Sequence, residues 1–526
     1  MQKVDSRQVS DDEKGHISQK EVISPEDSSD TYPQAVPTKG AIINADDDDS
    51  GPHFDTARTK TLLRKLDWHL VPFLSLLYLL SFLDRTNIGN AKLFNLQRDL
   101  GMPTKGPDAI QYNIAVAIFF PFYVAAEVPS NMMMKRTRPS LWLTIIMIAW
   151  AVCTIGMGFV KDFKDFVIVR ALLGVCEGGL FPGVTYYITM WYARHECGFR
   201  MALFFSAATA AGAFGGILAY AIGKMDGVGG RGGWSWIFIL EGLLTLAVAF
   251  VAYWAINDYP RTAKFLSEEE RTEVERRLKV DRSSLADEFN LKFAKDAFKD
   301  WKIYVHMLIT IGIYTPLYSI SVFLPTIIKN MGNGQYSAEA SQLLTVPPYV
   351  VACIFTIGAG WLADKTKQRG LYMIFFEFVA IIGFIMLASS GKAPVQYIGT
   401  FLATSGIYPL VPMGVAWNGN NIGGSLKRGV GIAMHVGFGN LGGAISAFCF
   451  LAKYSPRFIP GLVTLASTCT MSLVLSVCMH FYLKTENARR DRWAIEHNMH
   501  PGNYTEEQKV AEREMGDNAT FFRYTV

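Results

Sequence analysis

Four charged residues lie within otherwise apolar stretches of the sequence. Asp84 and Arg85 stand in SFLDRTNIGNA, and Arg170 and Glu177 stand in VRALLGVCEGGLFPG. A charge in the middle of a membrane helix costs about 2.5–3.5 kcal/mol on insertion scales, so it is normally retained for pairing or function. A guanidinium can hold a carboxylate through two hydrogen bonds. These residue types therefore predict a site that binds an anion, with an acid nearby that can take up a proton.

The same residues also allow purely structural interpretations. Arg170 lies seven residues before Glu177, so the two share a helix face, and Arg170 can simply hold helices together. Asp84 can be no more than the structural partner of Arg170. We interpret three further titratable residues in apolar segments as structural: Glu127, Glu241 and His435.

The elements that must position these charges are apolar blocks of about twenty residues. Half of the chain is hydrophobic and only 18% is charged, whereas soluble chains carry about 25% charged residues. Blocks of this length can cross the hydrocarbon core of a bilayer as helices. The sequence predicts an all-α membrane protein with twelve spans, near residues 69–90, 110–133, 141–160, 166–190, 200–222, 236–256, 303–328, 343–363, 372–390, 396–417, 430–452 and 460–483.

The spans fall into two groups of six around a charged stretch. We predict a disordered tail over residues 1–55, helical halves over 56–256 and 302–484, a central loop over 257–301 and a second tail over 485–526. The segment SEEERTEVERRLKV in the central loop has the periodicity of a surface helix. Lysine and arginine are enriched in the flanks and loops of one side, which predicts that both termini are cytoplasmic.

Several other classes of protein are disfavoured. The seven cysteines show no CxxC spacing and lie mostly in apolar spans, so neither a disulfide framework nor a metal site is expected. The formal net charge of +4 reflects the basic cytoplasmic loops and needs no nucleic acid. No GxxxxGK[ST] motif occurs, which argues against an ATP-driven pump. The polar start of the chain predicts no cleaved signal peptide. We expect a monomer in the lipid bilayer, with no cofactor and no enzymatic activity.

A short motif between the eighth and ninth spans resembles the cytoplasmic signature of the major facilitator superfamily. Its residues are Gly360, Asp364, Lys365 and Arg369. The resemblance implies two six-helix halves that give alternating access to a central site, and an inner gate at this motif. The glycine allows close helix contact, and the acid can pair with basic partners.

Three longer segments give a narrower resemblance, over residues 60 to 490. SFLDRTNIGNA, RALLGVCEGGLFPG and WIFILEG are similar to the organic anion:cation symporter branch and to its fungal allantoate permease family. Members carry allantoate, nicotinate, biotin, pantothenate and other small carboxylates. The resemblance implies Arg85 as the substrate contact, Asp84 and Glu177 as proton-coupling acids, and Arg170 as a partner of the first-span acid. It further implies substrate contacts at Tyr123 and Asn440. At Glu127 relatives often carry glutamine.

The sequence thus predicts a secondary active transporter that imports a small organic anion together with protons. The driving force is then the proton gradient, and nicotinate or another small monocarboxylate is the favoured substrate. An exporter of a carboxylated metabolite and a non-transporting nutrient sensor remain alternatives. The plasma membrane is the expected location, with the vacuolar membrane second.

Overall fold

The computed structural model describes residues 54–105, 107–283, 291–334, 336–497, 499 and 512–526. The tail predicted over residues 1–55 lies outside the described residues except for its last two positions. Every regular element in the described part of the chain is a helix.

Twelve of these helical segments are long and apolar enough to cross a membrane, as the sequence predicts. In chain order, α1 to α12 are Thr56–Leu93, Gln111–Met134, Pro139–Met157, Phe163–Trp191, Glu196–Gly223, Gly233–Ala255, Trp301–Asn330, Ala338–Thr366, Gly370–Ser389, Ala393–Asn420, Lys427–Ala447 and Ile459–Glu496. Because the number of spans is even, α1 begins and α12 ends at the same end of the bundle. We call this end the terminal face.

Three spans are interrupted, and one interruption positions a charged residue. The segments within α2 are Gln111–Ala117 and Phe119–Arg136, those within α4 are Phe163–Glu177 and Leu180–Trp191, and those within α8 are Ala338–Leu343 and Val346–Thr366. The first helix of α4 ends at Glu177, directly before Gly178 and Gly179. A Cβ atom at Gly178 would lie 2.4 Å from the Tyr123 carbonyl oxygen. The glycine therefore lets α4 approach the α2 backbone just beside Glu177.

The first and last spans extend beyond their apolar blocks. The sequence predicts boundaries near 69 and 483, whereas α1 begins at Thr56 and α12 ends at Glu496. Hydropathy marks only the part of a helix suited to hydrocarbon, and backbone hydrogen bonds continue through polar residues. Asp55 also caps α1, since its carboxylate accepts the Arg58 amide at 2.7 Å.

The two groups of six spans meet along several helix pairs. The contacts are α1 with α7, α2 with α11, and α5 with both α8 and α10. Gly89 of α1 lies against the Val322 carbonyl of α7, where a Cβ atom would come within 2.0 Å of the oxygen. Tyr349 of α8 packs in the same way on Gly212 of α5. The centre of the protein is thus enclosed by residues from both halves.

The linker between the halves contains the predicted surface helix, Glu268–Ser283, followed by Leu291–Lys299. Lys65 at the start of α1 pairs with Glu270 of the first linker helix at 2.6 Å. Arg277 of the same helix pairs with Glu196 at the start of α5. The linker is therefore tied to the terminal face of the first half.

The chain from Glu512 to Val526, here named the C-terminal segment, packs on the terminal face of the second half. Asp517 accepts from Lys302 and from Lys427 at 2.5 Å each, which joins the segment to α7 and α11. Burial opposes ionisation of Asp517, but the two ammonium groups outweigh it and lower the pKa of the carboxyl below its usual range. The segment is consequently held by charge-assisted bonds to two spans.

Candidate functional site

Arg85 lies at the centre of the molecule and pairs with Glu177. Its side chain is almost fully buried, at 3% exposure, and Glu177 is completely buried. The Arg85 Nη2 and Nε atoms lie 2.6 and 3.2 Å from Glu177 Oε1. The Ser81 hydroxyl, one turn earlier in α1, donates to the same carboxylate oxygen. Two charges predicted from separate segments of the sequence thus meet as one buried ion pair.

A chain of hydrogen bonds continues from this pair into the second half. Arg85 Nη1 donates to the Tyr318 hydroxyl of α7 at 3.0 Å, and that hydroxyl donates to Asn440 Oδ1 of α11 at 2.6 Å. Glu177, Arg85, Tyr318 and Asn440 are therefore linked in order from α4 to α11. Any movement of the two halves apart at this level must break or rearrange the chain.

Aromatic rings surround the guanidinium of Arg85. Its Cζ atom lies 4.8 Å from the centre of the Tyr123 ring and 5.1 Å from that of Phe119. Ring faces attract cations, and more strongly when water is excluded. A small cavity of about 10 Å³, enough for roughly one water molecule, adjoins Arg85. Its walls are Tyr78, Arg85, Tyr123, Phe181, Phe205, Tyr314, Leu317, Tyr318 and Asn440. The chemistry of these walls suits a carboxylate with an apolar or aromatic body, and the halves must move apart to admit one.

Asp84 faces away from this cavity, although it neighbours Arg85 in the sequence. Successive residues of an α-helix point about 100° apart. The Asp84 Oδ2 atom accepts from Trp150 Nε1 of α3 and from the Thr245 hydroxyl of α6, both at 3.0 Å. Asp84 therefore lies inside the first half, among α1, α3 and α6, and is separated from the substrate contacts that the resemblance implies.

Arg170 occupies a third position, next to the break in α2. Its Nε donates to the Ala115 carbonyl at 3.3 Å, so its bond goes to α2 and not to Asp84. The Arg170 Cζ atom lies 5.3 Å from the Phe119 ring centre, and the same ring contacts Arg85. This arrangement places Arg170 beside the cavity wall, where it fixes the α2 backbone.

Three of the four residues of the predicted inner gate pack together against α5. Arg369 Nη2 lies 2.6 Å from Asp364 Oδ1, and both atoms adjoin Gly198 at the start of α5. A Cβ atom at Gly360 would lie 2.4 Å from that of Ala202. Lys365 does not join them, because its ammonium lies over the Trp361 ring at 4.8 Å. The motif thus forms a contact between the halves at the terminal face.

Sequence reasoning missed Tyr318, Tyr314 and Ser81 as parts of this site. The two tyrosines stand four residues apart in IYTPLYSIS, a spacing that places them on one face of α7. Paired hydroxyls on one face of an apolar span are the signal that identifies them. Within the described residues, no group of three or more His, Cys, Asp or Glu side chains is arranged to hold a metal ion.

The fold and the site together define a membrane carrier, with two six-helix halves around a buried polar centre. The sequence model described as Major Facilitator Superfamily matches residues 74–447. The chain belongs to this superfamily. It is therefore a multi-pass membrane transporter of a small molecule and not an enzyme.

Known proteins with similarity to the chain agree with this assignment. An uncharacterised transporter of Schizosaccharomyces pombe is 35% identical over 443 residues, which cover 84% of this chain and 87% of that protein. The MFS-type transporter cnsO of Penicillium expansum is 34% identical over 491 residues, 90% of this chain and 92% of the other. The xylose transporter XylE of Escherichia coli, in a partially occluded inward open conformation, has a TM-score of 0.61 at 14% identity. The similarity covers 79% of this chain and 99% of XylE, and it supports the fold alone.

Proposed function

We propose that this protein imports a small organic anion by proton symport with alternating access. The observation that carries the proposal is the position of Arg85, a buried arginine at the wall of the central cavity. A carboxylate that leaves water for such a cavity needs a fixed cation, and a guanidinium can bind both of its oxygens. The aromatic rings of Tyr123 and Phe119 favour a substrate with a flat or apolar body.

The ion pair with Glu177 supplies a mechanism for coupling. In the absence of substrate, Arg85 is neutralised by Glu177. An entering carboxylate competes for the same guanidinium, and a displaced Glu177 carboxylate is then a buried charge that has lost its cation. Such a charge is costly in a low-dielectric interior, so it binds a proton. When the proton leaves on the other side, Glu177 pairs with Arg85 again and releases the substrate.

The resemblance to anion symporters supports the direction of transport, and the basic loops support an orientation with both termini in the cytoplasm. The fold supports alternating access, since carriers built from two helical halves move around a fixed central site. We propose the plasma membrane as the location, with the vacuolar membrane as the second choice, and a monomer as the functional unit.

The test is uptake by the purified full-length carrier in proteoliposomes. Labelled allantoate, nicotinate, pantothenate, biotin and simple carboxylates are offered outside at pH 5.5, with pH 7.5 inside. We expect accumulation of at least one acid that collapses when a protonophore is added. Arg85→Lys should reduce uptake by more than tenfold, because a lysine cannot form the bidentate bond. The control, Arg98→Lys at an exposed arginine, should be neutral. Accumulation that is independent of the pH gradient, or an active Arg85→Lys carrier, would contradict the proposal.

A further inference from the structure

Glu127 of α2 is a buried acid without a well-formed hydrogen bond, and the Asn440 amide is its polar neighbour. Its side chain is 2% exposed, and neither carboxylate oxygen accepts a hydrogen bond within the described residues. The other acids buried within the described spans each have a partner, and the pairs are Asp84 with Trp150, Glu177 with Arg85, Glu196 with Arg277, Glu241 with Asn87, and Glu377 with Ser472. Glu127 is thus the exception among them.

The carboxylate of Glu127 does not line the cavity itself, but it neighbours two residues that do, Tyr123 and Asn440. Glu127 follows Tyr123 by four residues and therefore shares its face of α2. Its Oε2 atom would lie 3.5 Å from a Cβ atom at Gly437 of α11, so the glycine leaves room in front of it. The Asn440 amide lies beside the carboxylate, and Arg85 is also among its electrostatic neighbours. Glu127 accordingly contributes a hydrogen-bond acceptor to the site, and Arg85 contributes donors.

The lack of a well-formed hydrogen bond requires a physical explanation. A buried polar group without a hydrogen bond costs about 1–3 kcal/mol, and a charged one costs more. Arg85 cannot relieve this cost, because its guanidinium already pairs with Glu177. A substrate whose carboxylate took Arg85 would extend along the wall formed by Tyr123, Tyr318 and Asn440, and these residues also neighbour Glu127. A donor at its far end would satisfy the orphaned carboxylate.

We propose that Glu127 accepts a hydrogen bond from the substrate and selects acids that carry an N–H or O–H group remote from their carboxylate. This inference rests on the proposed function, because Arg85 must hold the carboxylate for Glu127 to contact the other end. A site built to bind a donor discriminates strongly against the analogue that lacks it, since its own polar group is then left unpaired. Simple carboxylates are therefore poor ligands of the wild-type protein.

Matched pairs of acids test this selection directly. Binding is measured by titration calorimetry on the full-length carrier with 4-aminobenzoate against 4-methylbenzoate, and with 6-aminohexanoate against heptanoate. Each pair differs by a donor in place of a methyl group. We expect the wild-type protein to bind the amino member about tenfold or more tightly in at least one pair. Glu127→Leu should abolish that ratio without weakening the methyl member.

Three further variants separate the possible outcomes. Glu377→Leu removes a buried acid outside the cavity, and it should lower stability while the ratio is kept. If Glu127→Leu does not fold, Glu127→Gln, which keeps the shape and one acceptor, should reduce the ratio at least threefold. Arg85→Lys should weaken both members of each pair equally. An unchanged ratio in the Glu127 variants, or no preference in the wild type, overturns the inference and leaves the proposed function standing. If no acid binds, or if Arg85→Lys binds both members normally, the proposed function itself fails.

Discussion

At the scale of single residues, the structure separates two acids that the sequence treats alike. Glu177 pairs with Arg85, which lines the cavity, and shares its carboxylate between Arg85 and Ser81. Asp84 is enclosed by Trp150 and Thr245 within the first half. Under the proposed proton symport, Glu177 is the acid of these two that can exchange its cation for a substrate, so the geometry favours it as the carrier of the coupled proton.

Neutral amide variants distinguish these acids. Asp84→Asn should transport with an intact response to the pH gradient, because an amide oxygen can still accept from Trp150 and Thr245. Glu177→Gln should bind substrate but lose most of its gradient-driven accumulation, since an amide cannot take up the proton. The measurement is uptake in proteoliposomes with and without a pH gradient. A gradient response lost in Asp84→Asn and kept in Glu177→Gln would reverse the assignment.

Asp84 should nevertheless matter for stability. Asp84→Leu leaves the Trp150 N–H and the Thr245 hydroxyl without their acceptor, and each unsatisfied buried group costs about 1–3 kcal/mol. We expect a lower midpoint of thermal unfolding in detergent than for Asp84→Asn, which keeps an acceptor. Equal midpoints for the two variants would show that these hydrogen bonds contribute little.

The sequence predicted the charged residues of the site better than their partners. Arg85 and Glu177 stand out because charges are rare in apolar spans. Their pairing depends on how α1 packs against α4, and helix periodicity within one segment carries no information about that. Tyr318 could not be identified for the same reason, because its contact with Arg85 depends on how α7 packs against α1.

At the scale of helices, close contacts between the halves depend on glycine. Gly89 of α1 leaves no space for a methyl group, because a Cβ atom would lie 2.0 Å from the Val322 carbonyl oxygen. Gly89→Ala should push α1 away from α7 and destabilise this packing by about 1–3 kcal/mol, the usual cost of an overfilled interior. The midpoint of thermal unfolding and the uptake rate should both fall. Gly215→Ala in α5 is the matched control, since its nearest neighbours are at 3.5 Å, and an equal loss there would refute the explanation.

The C-terminal segment should respond to Asp517, the buried acid that joins it to two spans. Asp517→Asn removes the carboxylate that joins Lys302 and Lys427, so the protection of the Tyr524 and Thr525 amides from hydrogen exchange should fall. Since the pKa of Asp517 is lowered in the folded protein, its contribution is present above the ordinary value of about 4 and is lost as the pH falls through the lowered one. The wild-type segment should therefore loosen only in strong acid.

An exposed ion pair in the same region provides the control for this prediction. Asp491→Asn breaks the exposed pair with Arg523, and such pairs contribute little. Protection of Tyr524 and Thr525 should be almost unchanged in that variant. If both aspartate variants lose the same protection, the buried cluster is not what holds the segment.

Sequence patterns could not reveal how this segment packs. Lys302 and Asp517 are separated by 215 residues, and the segment has no helical periodicity or apolar block that would indicate packing. Its order depends on long-range pairs and on backbone contacts such as the Val526 carbonyl with the Arg369 amide at 2.9 Å. The linker helix Glu268–Ser283, by contrast, was predictable from its charge periodicity alone.

At the scale of the whole molecule, hydropathy predicted the layout of twelve spans in two groups. It did not predict the contacts that join the groups. These contacts occur at two levels. The Arg85–Tyr318–Asn440 chain joins the halves at the centre, and the Gly360 motif joins them at the terminal face. Alternating access requires that such contacts open and reform while the interior of each half stays packed. Helix contacts across the halves and within a half should thus respond differently to a covalent link.

Engineered disulfides compare these two kinds of contact. Cys353 of α8 and Ser206 of α5 belong to different halves, and the Cys353 Sγ atom lies 3.8 Å from the Ser206 carbonyl oxygen. Cys153 of α3 and Cys176 of α4 both belong to the first half, and their thiols adjoin each other. Ser206→Cys with Cys353 supplies the cross-half pair, Cys153 with Cys176 supplies the pair within a half, and each pair is kept in a background without the other native cysteines. Oxidation of the cross-half pair should stop uptake and reduction should restore it, because the link prevents α5 and α8 from separating. Oxidation of the pair within the half should leave uptake intact. Transport that continues with α5 and α8 fully cross-linked would mean that these helices need not separate, and would refute this account of the contact.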